Sequence, residues 1–355
     1  MNHTVTPAER WAFLGCSGVV AVTGLLHSVA ANPVLVFIMA AIALAGIAFV
    51  MGEATSQLGN HLSASAAGMI QSALGNLPEL FVCIFALRAG SVEVVQAALI
   101  GSILATALLI LGIALTVGSA RHGLLKFESR MPRMIAVLLL LAVSALVLPT
   151  LTHELYLPAA QHELELAVVC AVALLLVFAV STHVMLRSGE RRIPPDARAR
   201  SRIWPPWLAV ALLFACGLAV ILVSDWFIGA LLPATERLGI SEAFAGFVVV
   251  AIASNTAGVA EIRLAFQGKA DLAVSVALNG ALQVAIALIP TLVLISFFFF
   301  PETPFTLTIQ PIMAIALMLS VLVVTLVCVD GRADMADGAA LVGLYVLITA
   351  IFWWD

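Results

Sequence analysis

Long apolar runs separated by short polar breaks recur from one end of this chain to the other. A membrane-crossing helix needs about 20 apolar residues. On that measure the runs predict eleven spans, near residues 10–29, 33–57, 63–88, 91–119, 132–152, 163–186, 205–232, 240–267, 270–299, 306–329 and 337–354. None shows the alternation over about ten residues that marks a barrel strand, so an all-α polytopic membrane protein is expected. The longest polar interruption is RSGERRIPPDARARSR, 187–202, which contains prolines, is basic and reads as a linker. The expected organisation is an N-terminal transmembrane helix (1–30), a first five-helix repeat (31–186), a cytoplasmic linker (187–204) and a second five-helix repeat (205–355). Five is odd, so the two repeats must lie inverted in the membrane, an architecture of secondary transporters with sites near the midplane.

Composition sharpens this picture. Hydrophobic residues make up 63% of the chain and charged ones only 10%, against about 25% charged in a soluble domain. The net charge of −4 suggests no nucleic-acid partner; the lipid bilayer is the expected surrounding. With the N-terminus placed on one side, fourteen of the sixteen Lys and Arg residues fall on that side and only Arg88 and Arg237 on the other. The positive-inside rule then makes the N-terminus cytoplasmic and the C-terminus external, in a bacterial-type inner membrane. The run Trp11–Ala30 has small residues at its end, as a cleaved leader does, but its basic flank is only Arg10 beside Glu9; a first membrane helix is expected. Trp204, Trp207, Trp353 and Trp354 fall at span ends, where interfacial anchors belong. The five cysteines lie singly in apolar runs and read as small buried hydrophobes.

Against this background, polar groups within the spans stand out. GNLPEL, 75–80, puts Asn76 and Glu79 on one helix face at i, i+3. A carboxylate at the bilayer centre costs about 2.5–3.5 kcal/mol even on mild scales, and such groups are functional by default. Pro78 has no N–H and crowds the carbonyl of Leu74, and Gly75 admits close approach of another backbone. Oxygen-rich, kinked and anionic is what a hard cation such as calcium requires. Protonation makes the glutamate neutral, so one group can exchange a proton for an ion. Ser102 and Thr106 share a face of span four, and Asn279 and Gln283 share a face of span nine. Glu53 in MGEATSQLGNH ends span two at the expected cytoplasmic mouth. In span eight, SNTAGVAEIRLAF holds Asn255, a helix-breaking Gly258 and Glu261. H-E occurs at 153–154 and 162–163 without continuing to H-E-x-x-H, no nucleotide-binding G-x-x-x-x-G-K-[ST] is present, and no midplane catalytic constellation is seen. Neither an enzyme nor a bound cofactor is expected.

The stretch GEATSQLG…GNLPELFVCIFALRAGSVEVVQAALIGSILATALLILG resembles the first alpha repeat of calcium/proton exchangers, in the cation/calcium exchanger superfamily. GISEAFAGFVVVAIASNTAGVAEIRLAFQGKADLAVSVALNGALQVAIALIP resembles the second. The resemblance implies calcium or a related cation moved against protons by alternating access, with Glu79 as transport carboxylate and Asn76 as its companion amide. Four departures accompany it. The second repeat's carboxylate slot falls on Gly258, or on Ala257 if aligned without a gap from Lys269 and Asp271, and Glu261 lies three or four residues on. Span nine reads N-G-A-L-Q for the family's G-S-S-x-Q, and Ala105-Thr106 replaces the amide after G-S-I-L. Gln71 stands where asparagine is usual.

The leading expectation is a secondary antiporter with cations and protons as its partners. Its cation-binding and proton-coupling set is Glu79, Asn76, Ser102, Asn255, Glu261, Asn279 and Gln283; Glu79 and Glu261 are the metal-facing carboxylates, and Gly75, Pro78 and Gly258 the helix breaks. The missing second carboxylate motivates two alternatives: a non-transporting cation-binding or sensing protein on an exchanger scaffold, or an antiporter for sodium, potassium or manganese.

Overall fold

A computed structural model describes residues 6–61, 74–127, 130–187, 204–254, 258–302 and 304–353. Among the described residues it is mostly helical, with one ribbon of two short strands. The helices are α1 (Pro7–Ser28), α2 (Pro33–Gly59), α3 (Leu77–Arg88), α4 (Val92–His122), α5 (Arg130–Glu154), α6 (Glu163–Arg187), α7 (Pro206–Leu238), α8 (Glu242–Ala253), α9 (Gly258–Phe266), α10 (Ala270–Phe299), α11 (Pro311–Asp330) and α12 (Met335–Trp353). Among the described residues nine helices are long and apolar enough to cross a membrane. The other two expected spans, 63–88 and 240–267, are present as the shorter α3 and the pair α8 and α9. Large apolar side chains such as Phe214, Leu176 and Val180 are exposed, as hydrocarbon-facing residues should be.

Helix starts follow the local sequence. Thr6 and Glu9 form a capping box: Glu9 N–H donates to Thr6 Oγ1 at 3.1 Å and Thr6 N–H to Glu9 Oε2 at 2.5 Å. Asn32 Oδ1 accepts from Val34 N at 3.1 Å, with Pro33 in the first helical position.

The chain divides into two compact units, each drawing on both halves of the sequence. The first comprises Met1–Phe85, Ser181–Glu242 and Ile252–Ala257. Its core is α2 packed along α7, with α1 against both. Phe37 and Phe227 stack at 4.9 Å, and Arg237 donates to Asn32 Oδ1 at 3.1 Å. Trp204, expected at the lipid interface, is instead fully buried, with its ring edge-on to Phe13 at 5.5 Å. The expected linker lies outside the described residues from 188 to 203.

The second unit comprises Ala86–Val180, Ala243–Ala251 and Gly258–Asp355. Here α4 is buried along most of its length, against the 245–250 stretch of α8, α10 and α12. The α4–α8 contact depends on two glycines. A Cβ on Gly101 would collide with the Phe247 backbone, and one on Gly246 would meet Val94 O at 2.7 Å. The span expected to begin at 306 begins at Pro311. The preceding segment is non-helical, and side chains satisfy its backbone: Phe305 N donates to Ser296 Oγ (2.9 Å), Thr150 Oγ1 donates to Leu307 O (3.2 Å) and accepts from Ile309 N (3.0 Å), and Gln96 Nε2 donates to Thr308 O (2.8 Å). On the face with the basic loops, Leu125–Lys126 pairs antiparallel with Arg332–Ala333.

Candidate functional site

The GNLPEL stretch is a helix start. Leu74 and Gly75 are helical, Asn76 is a turn residue, and α3 begins at Leu77. Leu80 N donates to Asn76 O at 2.9 Å, which makes Asn76 the residue before the new helix. Pro78 therefore lies in a first turn, where its missing N–H costs nothing; it does not kink the middle of a continuous helix, as the sequence suggested. A Cβ added at Gly75 meets nothing within 4 Å, so the close backbone approach expected there is not seen among the described residues. Glu79, only 2% exposed, stands third in α3. First-turn N–H groups and the helix dipole present positive partial charge to an anion at that position. Cys83, one turn further along α3, is fully buried.

The second repeat follows the same plan. The described part of α9 runs from Gly258, with Glu261 in its first turn. Glu261 is 4% exposed, and its Oε2 has no hydrogen-bond partner among the described residues. Gly258 admits the Ile110 side chain, which its Cβ would strike. Asn255 and Ala257 lie outside the described residues.

Matching turns close α3 and α9 and fix their register. Gly90 N donates to Leu87 O (3.0 Å) and Ser91 N to Ala86 O (2.9 Å); Gly268 N donates to Ala265 O (3.0 Å) and Lys269 N to Leu264 O (3.0 Å). Both glycines have φ of +78°, which only glycine adopts readily. Counted back from these turns, Glu79 corresponds to Ala257 and Glu261 to Cys83. Of the two slots the sequence allowed, the turns favour Ala257. Glu261 is then displaced by four residues, one helical turn or about 6 Å.

Spans four and nine also match. Each contains a π-helical inset, Ala105–Ile110 in α4 and Val284–Leu288 in α10. Ser102 and Thr106 are buried; Asn279 and Gln283 are half-buried. Gly280 faces Thr106 closely enough that a Cβ would lie 3.3 Å from its methyl group. The second unit thus brings the polar stretches of α4 and α10 together. An extra residue per turn re-aims side chains, and such insets frequently mark functional sites. In the first unit, Glu53 Oε1 accepts from Gln57 Nε2 at 3.1 Å.

Sequence reasoning missed the π insets, for which no residue pattern is diagnostic, and the roles of Gln57, Gln96 and Thr150. Polarity at i, i+4 from Glu53 was a usable signal for Gln57. Gln96 and Thr150 bind a segment distant in sequence, and no local pattern announces that.

Known proteins resemble this chain in sequence and fold. A Ca(2+)/H(+) antiporter of Synechocystis is 31% identical over 340 residues, covering 89% of this chain and 90% of its own. The Ca(2+)/H(+) antiporter ChaA of Bacillus subtilis is 29% identical, covering 90% and 92%. The solved structure of native YfkE superposes with a TM-score of 0.83 at 25% identity, covering 97% of this chain and all of that one. The H+/Ca2+ exchanger CAX shares the fold, with a TM-score of 0.76 at 15% identity. Residues 32–187 and 208–354 match the sodium/calcium exchanger protein family, and the chain belongs to that family.

Proposed function

We propose that this protein is a secondary active antiporter that exchanges calcium for protons by alternating access, driven by the proton gradient. The observation that carries the reading is Glu79, a carboxylate buried at the start of a helix that breaks within an apolar span. Calcium, the cargo, takes six to eight oxygen ligands including carboxylates and carbonyls. Glu79 binds the ion as carboxylate and releases it on taking a proton, so ion and proton occupy the same oxygens in alternation. Asn76 supplies an amide oxygen, and the break beside Pro78 supplies backbone oxygens. Ser102, Asn255, Asn279 and Gln283 belong to the set by their places in the sequence. Glu261 acts as the second carboxylate from one turn away. The direction is calcium outward, with the N-terminus cytoplasmic, the C-terminus external and Glu53 at the cytoplasmic mouth. The relatives named Ca(2+)/H(+) antiporters support the cargo assignment.

The test is calcium flux into proteoliposomes under an imposed pH gradient. Wild type is expected to transport, and Glu79→Gln to lose proton-driven flux while keeping its elution profile and Tm. Undiminished flux in Glu79→Gln removes the carboxylate from the mechanism. Calcium-dependent stabilisation of the wild type without flux identifies a binding protein instead.

A further inference from the structure

Glu53 and Gln57 lie at i, i+4 in the last turns of α2, on one face of the helix, and His61 follows in the turn just past its end. All three are joined, through Trp204, in one hydrogen-bonded chain within the first unit. His61 Nε2 contacts Trp204 O at 2.6 Å, Trp204 N donates to Gln57 Oε1 at 3.3 Å, and Gln57 Nε2 donates to Glu53 Oε1 at 3.1 Å. The Gln57 amide is thereby fixed in orientation, its oxygen towards a backbone N–H and its nitrogen towards a carboxylate. Trp204 is a rigid support for it. Its indole is fully buried against Phe13 and Ala54, and the following Pro205 and Pro206 fix the chain direction into α7. Glu53 accepts through Oε1 only, so among the described residues Oε2 remains available to an ion or a proton.

We infer that Gln57 is a positioning residue for the exchange reaction: held by the Trp204 backbone, it fixes the Glu53 carboxylate at the mouth in one orientation for an arriving or departing cation. This rests on the exchanger reading and on Glu53 acting at the mouth. A charge-assisted hydrogen bond of this kind orders a side chain that would otherwise sample several rotamers. The chain also ties the carboxylate to residue 204, where the basic 187–203 segment enters α7.

The experiment is a double-mutant cycle in proteoliposomes, comparing wild type, Gln57→Leu, Glu53→Gln and the double variant under a pH gradient. Gln57→Leu is expected to raise the apparent KM for calcium roughly three- to tenfold, the value of one such bond, with a smaller change in kcat. In the Glu53→Gln background the same substitution is expected to have little further effect. Equal losses in both backgrounds, or a fall in kcat and Tm with KM unchanged, would show Gln57 to be merely structural and overturn the inference. If Glu53→Gln carries no measurable flux, the cycle is read instead in the calcium-induced Tm shift of the four proteins in detergent, where additive decrements overturn it. An inactive wild type defeats the exchanger reading itself, an outcome distinct from an active wild type insensitive to Gln57→Leu.

Discussion

Glu79 and Glu261 are both nearly excluded from solvent, yet each stands in the first turn of its helix. Placement at a helix start means that N–H groups without intrahelical partners lie close to each carboxyl. We expect Glu261→Gln to reduce proton-driven calcium flux by at least tenfold if it serves as the second carboxylate, with Tm unchanged. Normal transport by that variant would leave the site built around Glu79, with no second carboxylate at Glu261. Two glycines provide a contrast in stability. Gly101→Ala pushes a methyl group into the Phe247 backbone and should cost about 1–3 kcal/mol, seen as a lowered Tm in detergent. Gly75→Ala enters open space and should leave Tm within about a degree of wild type, the usual result where no contact changes. The acid at Glu79 was legible in the sequence because a charge inside an apolar run is so costly. Its position in a first turn was not, because Pro78 is equally compatible with a kink and with a helix start. Trp204 was misread for a related reason: a tryptophan at a span end fits an interface belt, and only the contact with Phe13 reveals the buried alternative.

At the scale of elements, the segment before α11 shows how non-helical backbone is accommodated beside membrane helices. Its peptide groups are bound by Thr150, Gln96 and Ser296, and Phe305 and Leu307 are buried. Thr150→Val keeps the shape but strands Leu307 O and Ile309 N. It should cost about 1–3 kcal/mol, measured by thermal unfolding in detergent, and full retention of stability would show that water replaces the hydroxyl. Hydropathy placed this span's start at 306 because the segment is itself apolar; Pro311 sets the true start, and the bonds that Thr150 and Gln96 make to the segment span more than 150 positions. The nine long helices were readable because twenty consecutive apolar residues have few alternatives. Span three departs most from its expected boundaries, since α3 begins only at Leu77, beside its polar cluster.

For the whole molecule, the bias of basic residues predicts the topology. A tag at the C-terminus should be labelled by an impermeant reagent on intact spheroplasts, and a tag at the N-terminus only after permeabilisation; the reverse pattern would invert the proposed direction of transport. The two compact units each combine segments from both halves of the sequence, an interleaving invisible to a reading that divides the chain at its longest loop.

The turns at Gly90 and Gly268 are near copies, yet the acids they index are not, since Glu79 has Ala257 as its counterpart and Glu261 has Cys83. A duplicated transporter with interchangeable halves has no structural reason to favour one direction over the other. Here the duplication is kept in the turns but not in the positions of the acids. On the exchanger reading the inward and outward half-cycles therefore face unequal barriers. On that reading, equal and opposite gradients are expected to drive unequal fluxes, as in a rectifier rather than a reversible valve, and flux measured in both directions checks it.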